Sequence, residues 1–199
     1  MDKHLSYKKV FEQYGGIMRT KELAKEKIYY PQIQSLIEQG YVEKIKYGYY
    51  QWQDEKALTE VSMIVALFPD AILCDVSAAM YYGYTDRVPE YWHLSVDNKS
   101  ARNKFKMDFP NIKPHFIDNT RLTIGVSEGV IDGIKIKIYD RERLICDCLR
   151  RIKTMDGEIF NTIIQRYIQD DKKNIGRLME YSSKLGVESK VRSVMGVWL

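Results

Sequence analysis

Residues 31–52 read PQIQSLIEQGYVEKIKYGYYQW. Pro31 suits a first helical turn, where its missing N–H costs nothing. Ile33, Leu36 and Ile37 then recur at i, i+3 and i+4, the spacing of a helix with one apolar stripe. Gly40 stops that helix. Its outward set, Gln32, Gln34, Ser35, Glu38 and Gln39, is rich in amides and hydroxyls. Beyond Gly40 the residues predict a two-stranded ribbon folded at Tyr47-Gly48, because glycine supplies the positive φ that a tight hairpin needs. Val42 and Ile45 are its core candidates, and Lys44 and Lys46 face solvent or phosphate. The odd spacing from Val42 to Ile45 breaks strict alternation and predicts a bulge.

Upstream, residues 7–14 close a first helix, which Gly15-Gly16 breaks. Thr20 opens a second over residues 20–27. Leu5, Val10 and Phe11 share a face of the first, and Leu23, Ala24 and Ile28 a face of the second. Three helices and a ribbon in this order predict a winged helix-turn-helix over residues 1–52, with the third helix in a DNA groove and a basic wing beside it. Gln32, Gln34 and Ser35 are the candidate base-reading residues, since amides and hydroxyls bond to base edges without a fixed charge. Arg19, Lys21 and Lys25, with Thr20 beside them, are candidate phosphate contacts. Lys44, Lys46 and Tyr47 form the candidate wing. A polar face is also what any water-facing helix needs, and a module of this kind that mediates protein contact alone is the competing reading.

Charge points the same way, weakly. Residues 1–53 hold nine Lys/Arg against six Asp/Glu, and residues 54–199 hold 22 against 21, so most of the chain's +4 lies in its first quarter. That is a small electrostatic footprint for phosphate contact. The 199 residues suit one large domain or two small ones. No apolar run approaches the roughly 20 residues needed to span a bilayer, and the opening residues lack the apolar core of a secretory signal. Cys74, Cys146 and Cys148 are odd in number and wrongly spaced for a CxxC pair, so they are expected to be reduced thiols in a cytoplasmic protein.

Residues 51–56 are polar and form the expected linker. A second domain, residues 57–199, begins with an apolar helix ended by Pro69-Asp70. Ile72-Leu-Cys-Asp75 leads into another helix, which Gly83 stops. Residues 91–96 and 112–117 read as strands, the latter with Pro114 on an edge. Val130-Ile131 and residues 134–139 flank Asp132-Gly133, a strong hairpin signal. Asp140 caps a helix over residues 141–151, in which Arg143 and Asp147 are spaced to pair. Asp156, Asn174 and Glu188 start three more helices. The expected fold class is therefore α+β: a winged helix followed by a larger domain whose short mixed sheet is covered by helices.

Several of these segments together resemble the AbiEi-type antitoxins of bacterial abortive-infection systems. At the N-terminus the resemblance rests on Gly16-Ile17, the helix around Leu23-Ala24, Leu36-Ile-Glu-Gln-Gly40 and Lys46-Tyr-Gly-Tyr-Tyr50. In the second half it rests on Ser77-Ala78-Ala79 with Gly83, and on Tyr139-Asp-Arg-Glu-Arg-Leu-Ile-Cys-Asp147. It implies a transcriptional regulator that binds inverted repeats in its own promoter, two copies on the DNA, and that counters a nucleotidyltransferase-like toxin without needing a stable complex. Direct titration of the toxin by the second domain is the alternative.

Enzymatic motifs are sparse. Asp132, Lys135 and Lys137 offer the residue types of a metal-dependent nuclease, but Asp132-Gly133 is better explained as a turn. His4, His93 and His115 are far apart in sequence, and none has a His or Cys partner at ligand spacing. Gly15-Gly16 lacks the Lys-Ser/Thr of a phosphate-binding loop, and there is no GxSxG elbow. These readings predict a protein that is not an enzyme and needs neither cofactor nor metal.

Overall fold

In a computed structural model of the chain, residues 3–53, 58–107 and 109–198 are described. The fold is α+β. Among the described residues there are ten α-helices and two sheets, one of three strands and one of five. Two compact units divide at Pro69/Asp70.

The first unit runs α1 (Lys3–Gln13), β1 (Ile17–Arg19), α2 (Thr20–Lys25), α3 (Tyr30–Glu38), β2 (Val42–Lys46), β3 (Tyr49–Trp52) and α4 (Glu60–Leu67). Gly16, at φ +85, turns the chain out of α1 while its N–H bonds to the Phe11 carbonyl. That reversal delivers β1, a three-residue strand that sequence periodicity is too short to reveal. β1 pairs with β3, and β3 with β2, all antiparallel, in the order β1-β3-β2. The register of β2 slips between Lys44 and Lys46, the bulge expected from the Val42–Ile45 spacing. Glu22 accepts from the Arg19 amide at 2.8 Å and Gln32 from the Tyr29 amide at 3.1 Å, satisfying backbone donors at the starts of α2 and α3. The helices close over a core of Phe11, Met18, Leu23, Ile28, Ile33, Leu36, Val42, Tyr50 and Trp52. Helix α4, which the sequence reading counts with the second domain, falls in this unit and meets β1. The linker expected at residues 51–56 overlaps β3 at Gln51 and Trp52, and its residues 54–56 lie outside the described residues.

The second unit is built on a mixed sheet in the order β6-β5-β4-β8-β7: β4 (Ile72–Leu73), β5 (Trp92–Asp97), β6 (Ile112–Ile117), β7 (Val126–Ile131) and β8 (Ile134–Tyr139). β5 and β6 are parallel, as are β4 and β8, and the other two pairings are antiparallel. The β7–β8 hairpin turns at Asp132 and Gly133, both at positive φ, as the Asp-Gly pair predicts. Pro114 lies in β6 at the sheet's edge, where a residue without an N–H costs the ladder least.

The helices of this unit are α5 (Asp75–Tyr81), α6 (Asn119–Leu122), α7 (Arg141–Arg150), α8 (Gly157–Gln169), α9 (Ile175–Leu185) and α10 (Glu188–Met195). α7 is the hub, in contact with α5, α8, α9 and α10. Asp140 accepts from the Arg143 amide and starts it, and Glu142, Arg143, Leu144, Ile145, Cys146, Cys148 and Leu149 are all buried. It is therefore a core helix despite its dense charge, and the pairing of Arg143 with Asp147 expected from their spacing is formed. Arg143 is wholly buried: Nε bonds to Asp147 at 2.9 Å, and Nη1 caps the end of α6 through the carbonyls of Arg121 (2.6 Å) and Ile124 (2.7 Å). Its guanidinium lies 4.1 Å from the Tyr139 ring centroid. Burial pushes the Asp147 carboxyl up and the Arg143 charge opposes that.

Beyond α8, Asp170 accepts from Tyr84 Oη at 2.5 Å and Arg141 Nε at 2.8 Å. Desolvation works against its charge, but the bonds from Tyr84, the Lys172 amide and Arg141 outweigh it and hold the carboxyl at about 2. A depressed folded pKa stabilises the fold above the unfolded value and loses that contribution as pH falls. In paired thermal melts, Asp170→Asn is expected to melt below the wild type at neutral pH. The gap should close as pH falls from about 4, the unfolded value, to about 2. A gap independent of pH would mean that the carboxylate charge is not what ties α8 down.

Candidate functional site

The residues expected to meet DNA fall into two groups in the first unit. Thr20 and the hairpin tip are brought together: the Thr20 amide bonds to the Gly48 carbonyl at 3.0 Å, and Tyr47 projects beside it with 91 % of its surface exposed. Lys44 is exposed with Nζ 5.7 Å from the Tyr47 ring centroid. Lys46 is half-buried, its Nζ 4.6 Å from the Tyr49 ring and 4.5 Å from the Phe68 ring. Lys21 and Lys25 are exposed on α2, whereas Arg19 is ion-paired to Glu22 at 3.1 Å. The second group lies on α3. Gln32 and Ser35 line a groove between α1 and α3 with His4, Tyr7, Pro31 and Gln39. Gln32 caps the helix there, Gln39 donates to Ser35 Oγ at 2.7 Å, and Gln34 is half-buried.

The second unit holds a polar cluster that the spacing argument missed. His93 and His115 stand 22 residues apart, yet they are neighbours because β5 and β6 pair in parallel, with His93 opposite Lys113 and Ser95 opposite His115. The two-residue period then puts both imidazoles on one face of the sheet. Asp75 arrives from the neighbouring strand. β4 ends at Leu73, the Cys74 amide bonds to the His93 carbonyl at 3.0 Å, and Asp75 opens α5 at φ +54. That left-handed conformation is uncommon for a residue with a Cβ and costs on the order of 1–3 kcal/mol. Arg151, just beyond α7, donates through Nη1 to Asp75 Oδ2.

Three ligand-type atoms converge here. His93 Nδ1 is 2.8 Å from Asp75 Oδ2 and 3.0 Å from His115 Nε2, and His115 Nε2 is 3.6 Å from the same carboxylate oxygen. Ser77 Oγ accepts from the His93 amide at 2.9 Å, anchoring the strand beneath. Asp75 is 4 % exposed, and its Oδ1 is buried without a hydrogen-bond partner. Burial alone would raise its pKa, but the bonds from His93 and Arg151 prevail and keep it ionised far below the ordinary carboxylate range. Burial, and after it the Arg151 charge, lowers His115 to about 4, so that ring is neutral at pH 7. An ionised carboxylate and a neutral imidazole are the protonation states that ligate metal ions. Asp75, His93 and His115, with ligand atoms all within 4.8 Å of one another, are the residues that could hold one.

Cys74, Cys146 and Cys148 are free and buried, and desolvation pushes each thiol's pKa up, which makes them inert. Among the described residues, no helix is long and apolar enough to cross a membrane. No protein-family model and no curated protein matches the chain.

Proposed function

We propose that the first unit is a winged helix-turn-helix and that the protein is a DNA-binding repressor of the antitoxin type, acting on its own promoter in the cytoplasm. The observation that carries this reading is the path α1-β1-α2-α3-β2-β3. It has β3 central in the sheet and a hairpin whose tip exposes Tyr47 beside the start of α2. In that geometry α3 enters a major groove, while the hairpin and the exposed lysines of α2 contact the flanking phosphates. The near-balance of charge elsewhere fits a protein that touches nucleic acid through one end only. The resemblance to AbiEi-type antitoxins supports the rest: inverted repeats as operator, two copies on the DNA, and a nucleotidyltransferase-like toxin as the partner that the second unit counters.

A mobility-shift titration of the full chain on its upstream region tests this. Affinity should fall steeply with salt, and a Lys44→Ala/Lys46→Ala variant should lose at least about one unit of the log–log salt slope, the share of the exposed Lys44. Wild type and variant binding equally weakly, without sequence preference, would show that the assigned surface is wrong.

A further inference from the structure

We infer that Asp75, His93 and His115 form a binding site for a single divalent transition-metal ion of the Zn2+ class in the second unit. The inference is independent of the DNA reading. It rests first on distances. Ligands about 2.0–2.2 Å from a tetrahedral Zn2+ stand about 3.3–3.6 Å from one another, and the three donor atoms here, at 2.8, 3.0 and 3.6 Å, reach that spacing with shifts of about 0.5 Å or less. In the ion-free protein His93 bonds to the Asp75 carboxylate, and that proton leaves as a metal ion enters. His93 Nδ1 carries at most one proton, yet it faces both a carboxylate oxygen and a second ring nitrogen at contact distance. A cation at the centre satisfies all three atoms together.

The surroundings agree. The left-handed backbone at Asp75 aims its carboxylate at the imidazoles, the kind of local strain that functional sites retain. The His93 backbone amide donates to the Ser77 hydroxyl, which fixes the strand from which the imidazole projects. His115 and Arg151 are the partly exposed members, with side chains 23 % and 29 % accessible, so the triad is reached from their side. Two imidazoles and one carboxylate select zinc, cobalt, nickel or iron over magnesium and calcium, which favour all-oxygen sites. The Arg151 guanidinium on Oδ2 supplies the positive charge that Asp75 requires when the ion is absent.

Titration of the metal-stripped full chain with Zn2+, followed by calorimetry, and with Co2+, followed by visible absorption, decides the matter. One equivalent of each should bind, Co2+ with the absorption of nitrogen-ligated, low-symmetry cobalt, and saturating Zn2+ should raise the melting temperature by mass action. His115→Ala, at a half-exposed position on the edge strand, should keep its circular dichroism spectrum while Zn2+ affinity falls by about a hundredfold or more. His4→Ala, in the other unit, should bind as the wild type does. The inference is overturned if stoichiometric binding is absent. It is equally overturned if His115→Ala binds with unchanged affinity, since the ion would then sit elsewhere.

Discussion

Arg143→Ala is expected to destabilise the second unit by about 3–5 kcal/mol, the usual cost of breaking a buried ion pair by removing one partner. The guanidinium has no exposed surface, and it serves Asp147, two carbonyls at the end of α6 and the face of Tyr139 at once. Truncation leaves the largely buried Asp147 without its ion-pair partner and the Arg121 and Ile124 carbonyls without this donor. It also opens a cavity between the first turn of α7, the end of α6 and the Tyr139 ring. Because natural domains are stable by only about 5–15 kcal/mol, a large share of the second unit's folding free energy is at stake. Urea unfolding, with amide exchange localised to residues 70–199, measures it. Arg143→Met, which restores much of the volume but no donor, should recover only the packing part. A loss within about 0.5 kcal/mol, ordinary for a surface substitution, would show that the network does not hold this unit together.

Gly125→Ala should be comparably severe, for a different reason. Gly125 sits at φ +76, and a Cβ built there would lie 2.5 Å from Arg143 Cβ and 3.1 Å from Asp140 Oδ1. Left-handed strain accounts for roughly 1–2 kcal/mol. The clash falls on the first turn of α7 rather than on the tip of a flexible chain, so overpacking adds about 1–3 kcal/mol more. Gly133 provides the control: its φ is +78, but nothing lies within 4 Å of its Cβ position. The melting temperature of Gly125→Ala should therefore fall well below that of Gly133→Ala, and equal losses in the two would remove the steric part of the argument.

The readable parts of this fold were those fixed by neighbours in the chain. Ile33, Leu36 and Ile37 announced α3, Asp132-Gly133 announced the β7–β8 hairpin, and the pairing of Arg143 with Asp147 followed from a four-residue spacing. β1 escaped because three residues cannot display a period, and its partner β3 lies some thirty positions downstream. The unit boundary escaped because an apolar helix such as α4 carries no mark of which core receives it.

The Asp75, His93 and His115 cluster escaped for a related reason. Ligand spacing along a chain detects sites made by one turn or one helix, and this one is made by strand order. Both strands were nonetheless visible, each carrying one histidine. The register that sets Trp92 opposite Ile112 puts the two rings on one face; pairing residues 91–96 end to end with 112–117 would split them across the sheet. What sequence could not supply was the pairing itself, or the return of Asp75 through β4.

Pro114 on β6 has a consequence for how this molecule behaves in a crowd. A sheet's outermost ribbon offers a row of backbone donors on which another polypeptide can build, the first step toward fibrils. Here that row is broken at its middle by a ring with nothing to donate. The chain thus carries, along the β6 edge of its larger sheet, a built-in stop against self-templated growth.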